Sequence, residues 1–231
     1  MADITGGFKK LKEDLSRMTF KEKVQHLWTY YKSTLLVAVI MIVVLSIVVN
    51  SIITVNTDTI VAGVTVNVHL SEEGMQYLGD DYYNKVYDGS GLEKVFITDM
   101  AMYDITDAEH SEETYYTLMS MAALVSEQEL DYMIVNQSAL ESFIKYESIL
   151  QDLRILFTQE ELDALGTNVI HQQAGPDGEK IPIAINISQV PFIKDNASMG
   201  DKPVYMTFAL NSPREEACRD IYDYILAWNA E

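Results

Sequence analysis

The sequence predicts an α/β protein: a single N-terminal transmembrane helix, then one domain built on a mixed, largely parallel sheet. Three observations carry this. Ser33 to Thr57 is a run of 25 residues without a charge. The sign of the net charge changes across that run. From Thr59 onward, Val-rich alternating stretches take turns with helix-start signals and apolar residues at 3.6-residue spacing, the order of elements that builds α/β sheets.

The apolar run is long enough to cross a bilayer, since about 20 helical residues span a hydrocarbon core roughly 30 Å thick. Its β-branched content would suit a strand in water, but in lipid only a helix satisfies its own backbone. The flanks set the orientation. Residues 1–32 hold seven Lys/Arg against four acids, net +3, and the remainder holds nine against 31, net -22. Lys21, Lys23 and Lys32 precede the run together with Trp28, Tyr30 and Tyr31, and beyond it no Lys occurs before Lys85. That is a positive-inside flank with interfacial aromatics, so the N-terminus is expected in the cytoplasm and the C-terminal part outside. The head is too long and the apolar run longer than that of a cleaved leader, and Ile53-Thr-Val-Asn-Thr-Asp58 offers no small-residue cleavage site. The expected organisation is a basic cytoplasmic head over 1–32, a signal anchor in the lipid bilayer over 33–57, and an extracytoplasmic domain over 58–231. Within the head, Thr19-Phe-Lys-Glu22 reads as a capping box. Phe8 to Leu15 reads as either an amphipathic stretch on anionic lipid or a solvated tail.

Ile60 to Leu70 alternates and reads as a strand. Ser71-Glu-Glu opens a helix to about Val86, with Ser71 as its cap. Asp88-Gly-Ser-Gly91 is a turn, and Lys94 to Thr98 a second strand. Ser111-Glu-Glu starts a helix whose apolar face is read as Tyr115, Leu118, Met119, Ala122 and Val125. Tyr132 to Val135 is a short buried strand, followed by a helix over Gln137 to Tyr146. Thr158-Gln-Glu-Glu161 is a second capping box, and its helix stops at Gly166. Asn168 to Gln173 and Glu179 to Ile187 flank Ala-Gly-Pro-Asp-Gly as a hairpin. Val204 to Leu210 is the last strand. Ser212-Pro-Arg-Glu215 signals the last helix, with Ser212 as cap and Ala217, Ile221, Tyr224, Ile225 and Trp228 facing inward.

Composition and motifs remove several functions. A net charge of -19 argues against nucleic acid, whose binders cluster Lys and Arg. The single cysteine, Cys218, leaves no intramolecular disulfide, and its place beside Ala217 on a helix suits a buried, inert thiol. His26, His69, His110 and His171 are scattered, without metal-ligand spacing. Asp99, Asp104, Asp107, Glu109 and His110 are rich in oxygen ligands but lack a calcium-loop register, so they read as a solvated acidic loop and no metal or cofactor is expected. No nucleophile motif, phosphate loop or dinucleotide fingerprint occurs. Tyr82-Tyr83 and Tyr115-Tyr116 read as core or half-buried residues ahead of an aromatic groove. In open α/β sheets ligands meet the carboxyl ends of strands, which singles out Asn136, Asn211 and Ser212 as candidate contacts; turn and cap chemistry is their ordinary alternative role.

Three stretches carry a resemblance. Glu129-Leu-Asp-Tyr-Met-Ile-Val-Asn136 with the following helix and Ile149-Leu-Gln-Asp-Leu153, Ile181-Pro-Ile-Ala-Ile-Asn-Ile187, and Pro203-Val-Tyr-Met-Thr-Phe-Ala-Leu-Asn-Ser212 together resemble one lobe of the extracellular solute-binding proteins of the type 2 periplasmic-binding fold. The head, with Phe20-Lys-Glu-Lys-Val24 and Trp28-Thr-Tyr-Tyr-Lys32, is similar to uncharacterised single-pass membrane proteins of Gram-positive anaerobes. Such proteins close two lobes on a ligand, and residues 58–231 are about half that length, so the resemblance implies a single lobe. It implies a membrane-anchored binding or interaction module rather than an enzyme, accessory to a transporter or another envelope protein. The alternatives are a reduced solute receptor that binds at the strand ends, and an extracytoplasmic hydrolase.

Overall fold

The computed structural model describes residues 19, 21, 28, 32, 36–49, 57–89, 92–101, 111–145, 149–173, 178–198 and 202–229. Two units, Met1–Asn56 and Thr57–Glu231, divide the chain. In the first, residues 36–49 are helical with apolar side chains almost all exposed, and Lys21, Trp28 and Lys32 are helical as well. No helix among the described residues is long and apolar enough to cross a membrane. The rest of the expected span before Thr57, residues 33–35 and 50–56, lies outside them, as do Phe8 to Leu15 and the Glu22 half of the first capping box.

The second unit is a mixed α/β domain. Its strands are β1 (Asp58–Val66), β2 (His69–Leu70), β3 (Glu93–Met100), β4 (Tyr132–Asn136), β5 (Val169–Gln173), β6 (Lys180–Asn186), β7 (Ala197–Ser198) and β8 (Val204–Phe208). Its α-helices are α1 (Glu72–Gln76), α2 (Tyr82–Val86), α3 (Ser111–Ser126), α4 (Gln137–Lys145), α5 (Gln159–Leu165), α6 (Pro191–Asn196) and α7 (Glu215–Leu226). A π-helical turn over Tyr77–Asp81 joins α1 to α2, so the helix expected from Ser71 is one element with a widened middle.

Six strands form one sheet in the order β3-β1-β4-β8-β6-β5, and β2 pairs with β7 apart from it. β1 runs parallel to β3 and to β4, whereas β8 is antiparallel to both β4 and β6, and β5 is antiparallel to β6. The parallel pairs follow from helical connections, because a parallel return needs a crossover, and the hairpin follows from a short turn. β1 lies between β3 and β4: the chain first goes to one side of it, to the edge strand β3, then crosses to the other, to β4. Ile183 has no partner opposite it in the β5–β6 ladder, where Pro182 pairs His171 and Ala184 pairs Ile170. A bulge tolerates that proline and re-aims the strand, so that Ile183 and Ile185 join different cores.

Each face of the sheet is covered. On one, Val61, Tyr132, Ile134, Met206 and Phe208 pack with Leu78, Tyr82, Phe192, Cys218, Ile221 and Ile225 from the π turn, α2, α6 and α7. On the other, Val64, Val66, Met133 and Val135 pack with Met121 and Val125 of α3 and Ala139, Leu140 and Phe143 of α4. Gly63 is required at the centre of β1: a Cβ there would lie 2.1 Å from Cζ of the Tyr132 ring.

Local signals set several helix ends. The Ser71 hydroxyl accepts from the Gly74 N–H at 3.0 Å. The Thr158 box is complete: the Glu161 carboxylate accepts from the Thr158 N–H at 2.8 Å, and the Thr158 hydroxyl accepts from the Glu161 N–H. Two expectations need correction. α3 buries Thr114, Met121 and Val125, whereas Tyr115, Tyr116 and Met119 are more than half exposed and Ala122 is exposed as well. Ser212 does not cap the last helix: that helix begins at Glu215 with Arg214 at its cap position, and the Ser212 hydroxyl donates to Asp131 and accepts from the Arg214 N–H just ahead of the helix. Cys218 is buried as expected, and that burial pushes its thiol up to about 12.

Three variants test this packing. Asp131→Ala removes a fully buried carboxylate from the Arg214 guanidinium, the Ser212 hydroxyl and the Ala62 N–H, and should cost about 3 kcal/mol or more in urea unfolding. Tyr132→Phe should raise stability by about 1 kcal/mol, because the hydroxyl it deletes is buried with no partner among the described residues. The Thr158 N–H, then the Arg219 guanidinium and the Thr158 hydroxyl, hold the Glu161 carboxyl down to about 2. A depressed carboxyl contributes stability that is complete above its ordinary pKa near 4.5 and lost as pH falls toward 2. Glu161→Gln should therefore flatten the fall in melting temperature between those two pH values.

Candidate functional site

Parallel strands put their carboxyl ends at one end of a sheet. Here β1, β3 and β4 finish together, and the strand order reverses at β1, the place where open α/β sheets form a crevice. A cleft of about 810 Å³ lies there, lined by Asn67, His69, Asp99, Asn136, Ser138, Ser198 and Lys202 among others. Each residue is delivered by a local feature. Asn67 follows β1 at φ 56°, a left-handed conformation that Asn tolerates, and turns the chain so that His69 enters β2. Asp99 is near the end of β3, and Asn136 ends β4. Ser198 stands directly opposite His69 in the β2–β7 ladder.

Asp99 is the anchor of one wall. One carboxylate oxygen accepts from the buried Thr65 hydroxyl at 2.8 Å, and the other lies 2.9 Å from Nδ1 of His69. The second hydrogen bond fixes the imidazole and leaves Nε2 as its outward nitrogen. On the other wall, the Asn136 side-chain oxygen accepts from the Ala139 N–H at 2.9 Å and so caps α4. The Ser138 hydroxyl and the Lys202 ammonium complete the polar lining.

Asn136 of the sequence-derived candidates lines this cleft. Asn211 and Ser212 sit at the opposite end of the sheet, because β8 is antiparallel. In its register Asn136 pairs with Val204 and Tyr132 with Phe208, so β8 leaves the sheet where β4 enters it. Four residue steps of strand, about 14 Å, separate those two ends. Asn211 turns the chain there at φ 62°, and the Ser212 hydroxyl donates to Asp131 at 2.5 Å and accepts from the Arg214 N–H at 3.1 Å. The pairing of His69 with Asp99 and the roles of Ser198 and Lys202 have no signal in sequence spacing, since the partners lie 30 or more residues apart. The strand-end rule applied to β3 as well as to β4 would have reached Asp99.

Among the described residues no group of three or more His, Cys, Asp or Glu side chains is arranged to hold a metal ion. Asp104, Asp107, Glu109 and His110 lie outside the described residues, and Asp99 is occupied by Thr65 and His69. The residue types of nucleophilic hydrolysis meet in Ser198, His69 and Asp99, but the His69 side chain is 79% exposed. A base in open water lacks the excluded, low-dielectric setting in which developing charge is stabilised. Comparison of the chain with protein-family models, with curated proteins and with solved structures finds no match.

Proposed function

We propose that this chain is a membrane-anchored, extracytoplasmic and non-catalytic binding module whose domain takes a small polar ligand at the strand ends. The observation that carries the reading is the cleft at the carboxyl ends of β1, β3 and β4, lined by hydrogen-bonding side chains from five separate segments. The likeness to one lobe of a type 2 solute-binding protein rests on the three sequence stretches that resemble it. The bilayer anchor over 33–57 rests on hydropathy and flanking charge. It places the basic head in the cytoplasm and the acidic domain outside, at the cell membrane.

A specific surface favours a second reading, in which the domain is presented to a membrane or envelope protein. Tyr115, Tyr116 and Met119 on α3 are 60%, 68% and 52% exposed. Aromatic and Met side chains left on one helix are the composition of interface centres.

The two readings separate in a thermal-shift experiment on the full chain in detergent, with a panel of small polar metabolites. A ligand at 100-fold its Kd adds about 2.7 kcal/mol. That should raise the melting temperature by roughly 5–10 °C for a domain of this size. The shift should vanish in Ser138→Tyr, which fills the cleft. If no compound moves the transition, the ligand reading falls. An envelope protein that co-purifies stoichiometrically and is lost in Tyr116→Glu would then establish the second reading.

A further inference from the structure

Asn136, Ser138 and Lys202 bring hydrogen-bond donors to the cleft. We propose that it selects a small molecule carrying an oxyanion, a carboxylate or a phosphate, seated on the N-terminus of α4 between Asn136 and Lys202. This rests on the reading of the cleft as a ligand site and goes on to the chemistry of what it holds.

α4 starts directly after β4, so the open N–H groups of its first turn belong to the carboxyl end of the sheet. A helix N-terminus favours an anion through those N–H groups and its dipole. An independent observation points the same way. Asn136 is 94% buried, and its oxygen is held by the Ala139 N–H. That bond fixes the orientation of the amide, and among the described residues no acceptor meets its nitrogen. Among the described residues the Tyr132 hydroxyl is the buried side-chain polar atom without a partner, and the Asn136 nitrogen is not one, so it opens to the solvent of the cleft and can meet an arriving oxygen there. Lys202 is exposed and makes no ion pair among the described residues, and the Ser138 hydroxyl donates to nothing there.

The cleft's own carboxylate does not compete for these donors. Asp99 already faces Thr65 on one oxygen and His69 on the other. Nor does the acidity of residues 33–231 exclude an anion. Charges beyond a Debye length of about 8 Å are largely screened at physiological salt, so the donors within the seat decide the sign of the ligand.

Asn136→Asp is the discriminating variant. Its carboxylate keeps an oxygen to cap Ala139, so α4 is retained, while the donor nitrogen becomes an anionic oxygen. Calorimetric titration of the full chain in detergent would use inorganic phosphate, succinate and, as the uncharged counterpart, succinamide. Succinate or phosphate should bind at least tenfold tighter than succinamide, which reads out as 1.4 kcal/mol. Asn136→Asp should lose that preference with its melting temperature held within about 2 °C of the parent. Lys202→Gln, at an exposed position, should weaken the anion several-fold and reduce the dependence on salt, and it serves equally should Asn136→Asp not fold. Preference for phosphate or for succinate identifies which oxyanion the seat fits. Succinamide binding as tightly as succinate, or anion binding unchanged in the folded variants, overturns the inference and leaves the cleft a ligand site. Binding of no small molecule, here or in the metabolite panel, removes both.

Discussion

The buried carboxylate of Asp131 holds the amino end of the sheet together. The residue is fully buried and immediately precedes β4. Oδ2 accepts from the Ala62 N–H of β1 at 2.7 Å and from Nε of Arg214 at 2.8 Å, and Oδ1 accepts from the Ser212 hydroxyl. Its own N–H donates to the Ala62 carbonyl, and its carbonyl accepts from the Ala209 N–H, both at 2.9 Å. One side chain and its peptide groups thus join the middle of β1, the start of β4, the exit of β8 and the approach to α7. An ion taken out of water is tolerated where hydrogen bonds replace its hydration, and Ala62, Ser212 and Arg214 supply three donors. Arg214 is held in turn by donating Nη2 to the Gln128 carbonyl at 2.8 Å.

That closure leaves the carboxyl end of the sheet as the open one. At the amino end the polar groups around Asp131 pair with one another, the Tyr132 hydroxyl excepted: the Ser212 hydroxyl donates to Asp131, and the Cys218 thiol packs beside it. At the carboxyl end the Asn136 amide, the Ser138 hydroxyl and Lys202 border a cavity instead of each other. The difference comes from strand direction. β1, β3 and β4 agree in direction and gather their ends, whereas β8 runs against them and carries its polar exit to the closed side.

Sequence legibility followed the range of the interactions. The Ser71 cap, the Thr158 box and the β5–β6 hairpin are set by residues within a few positions of each other, and all could be read directly. The alternation of β1 and the apolar run of β4 gave the central strands, because burial on both faces leaves little choice of residue. The inner face of α3 was misread. Tyr115 and Met119 extend the apolar stripe by period, yet the helix is rotated to bury Thr114 and Met121, a choice made by packing on β1 and β4 that no local period encodes. β2 and β7 are two-residue strands, too short for any period, and they place His69 opposite Ser198. Of the cleft, only Asn136 was legible as a contact, through a rule about strand ends. The same rule failed for Asn211 and Ser212 because the direction of β8 is a property of the whole sheet, not of its own residues.

The shape of the cleft bears on how such a module would work. A ligand in a cleft this open is covered on one side only, and pockets that hold small molecules tightly cover most of their surface. Exposure of the His69 side chain at 79% marks how open this wall is. An open seat with a few fixed donors gives selectivity from geometry and charge, but modest affinity, because little apolar surface leaves water on binding. On the proposed reading the bilayer anchor supplies what the seat lacks. Confinement to the membrane raises the effective concentration of the domain toward any partner in the same surface, so a weak contact there is still populated. A loosely held ligand and a populated partner favour passing a small polar molecule on, or reporting its presence, over storing it. The exposed Tyr116 and Met119 of α3 lie on a different element from the donors of the cleft, so occupying one does not by itself require vacating the other.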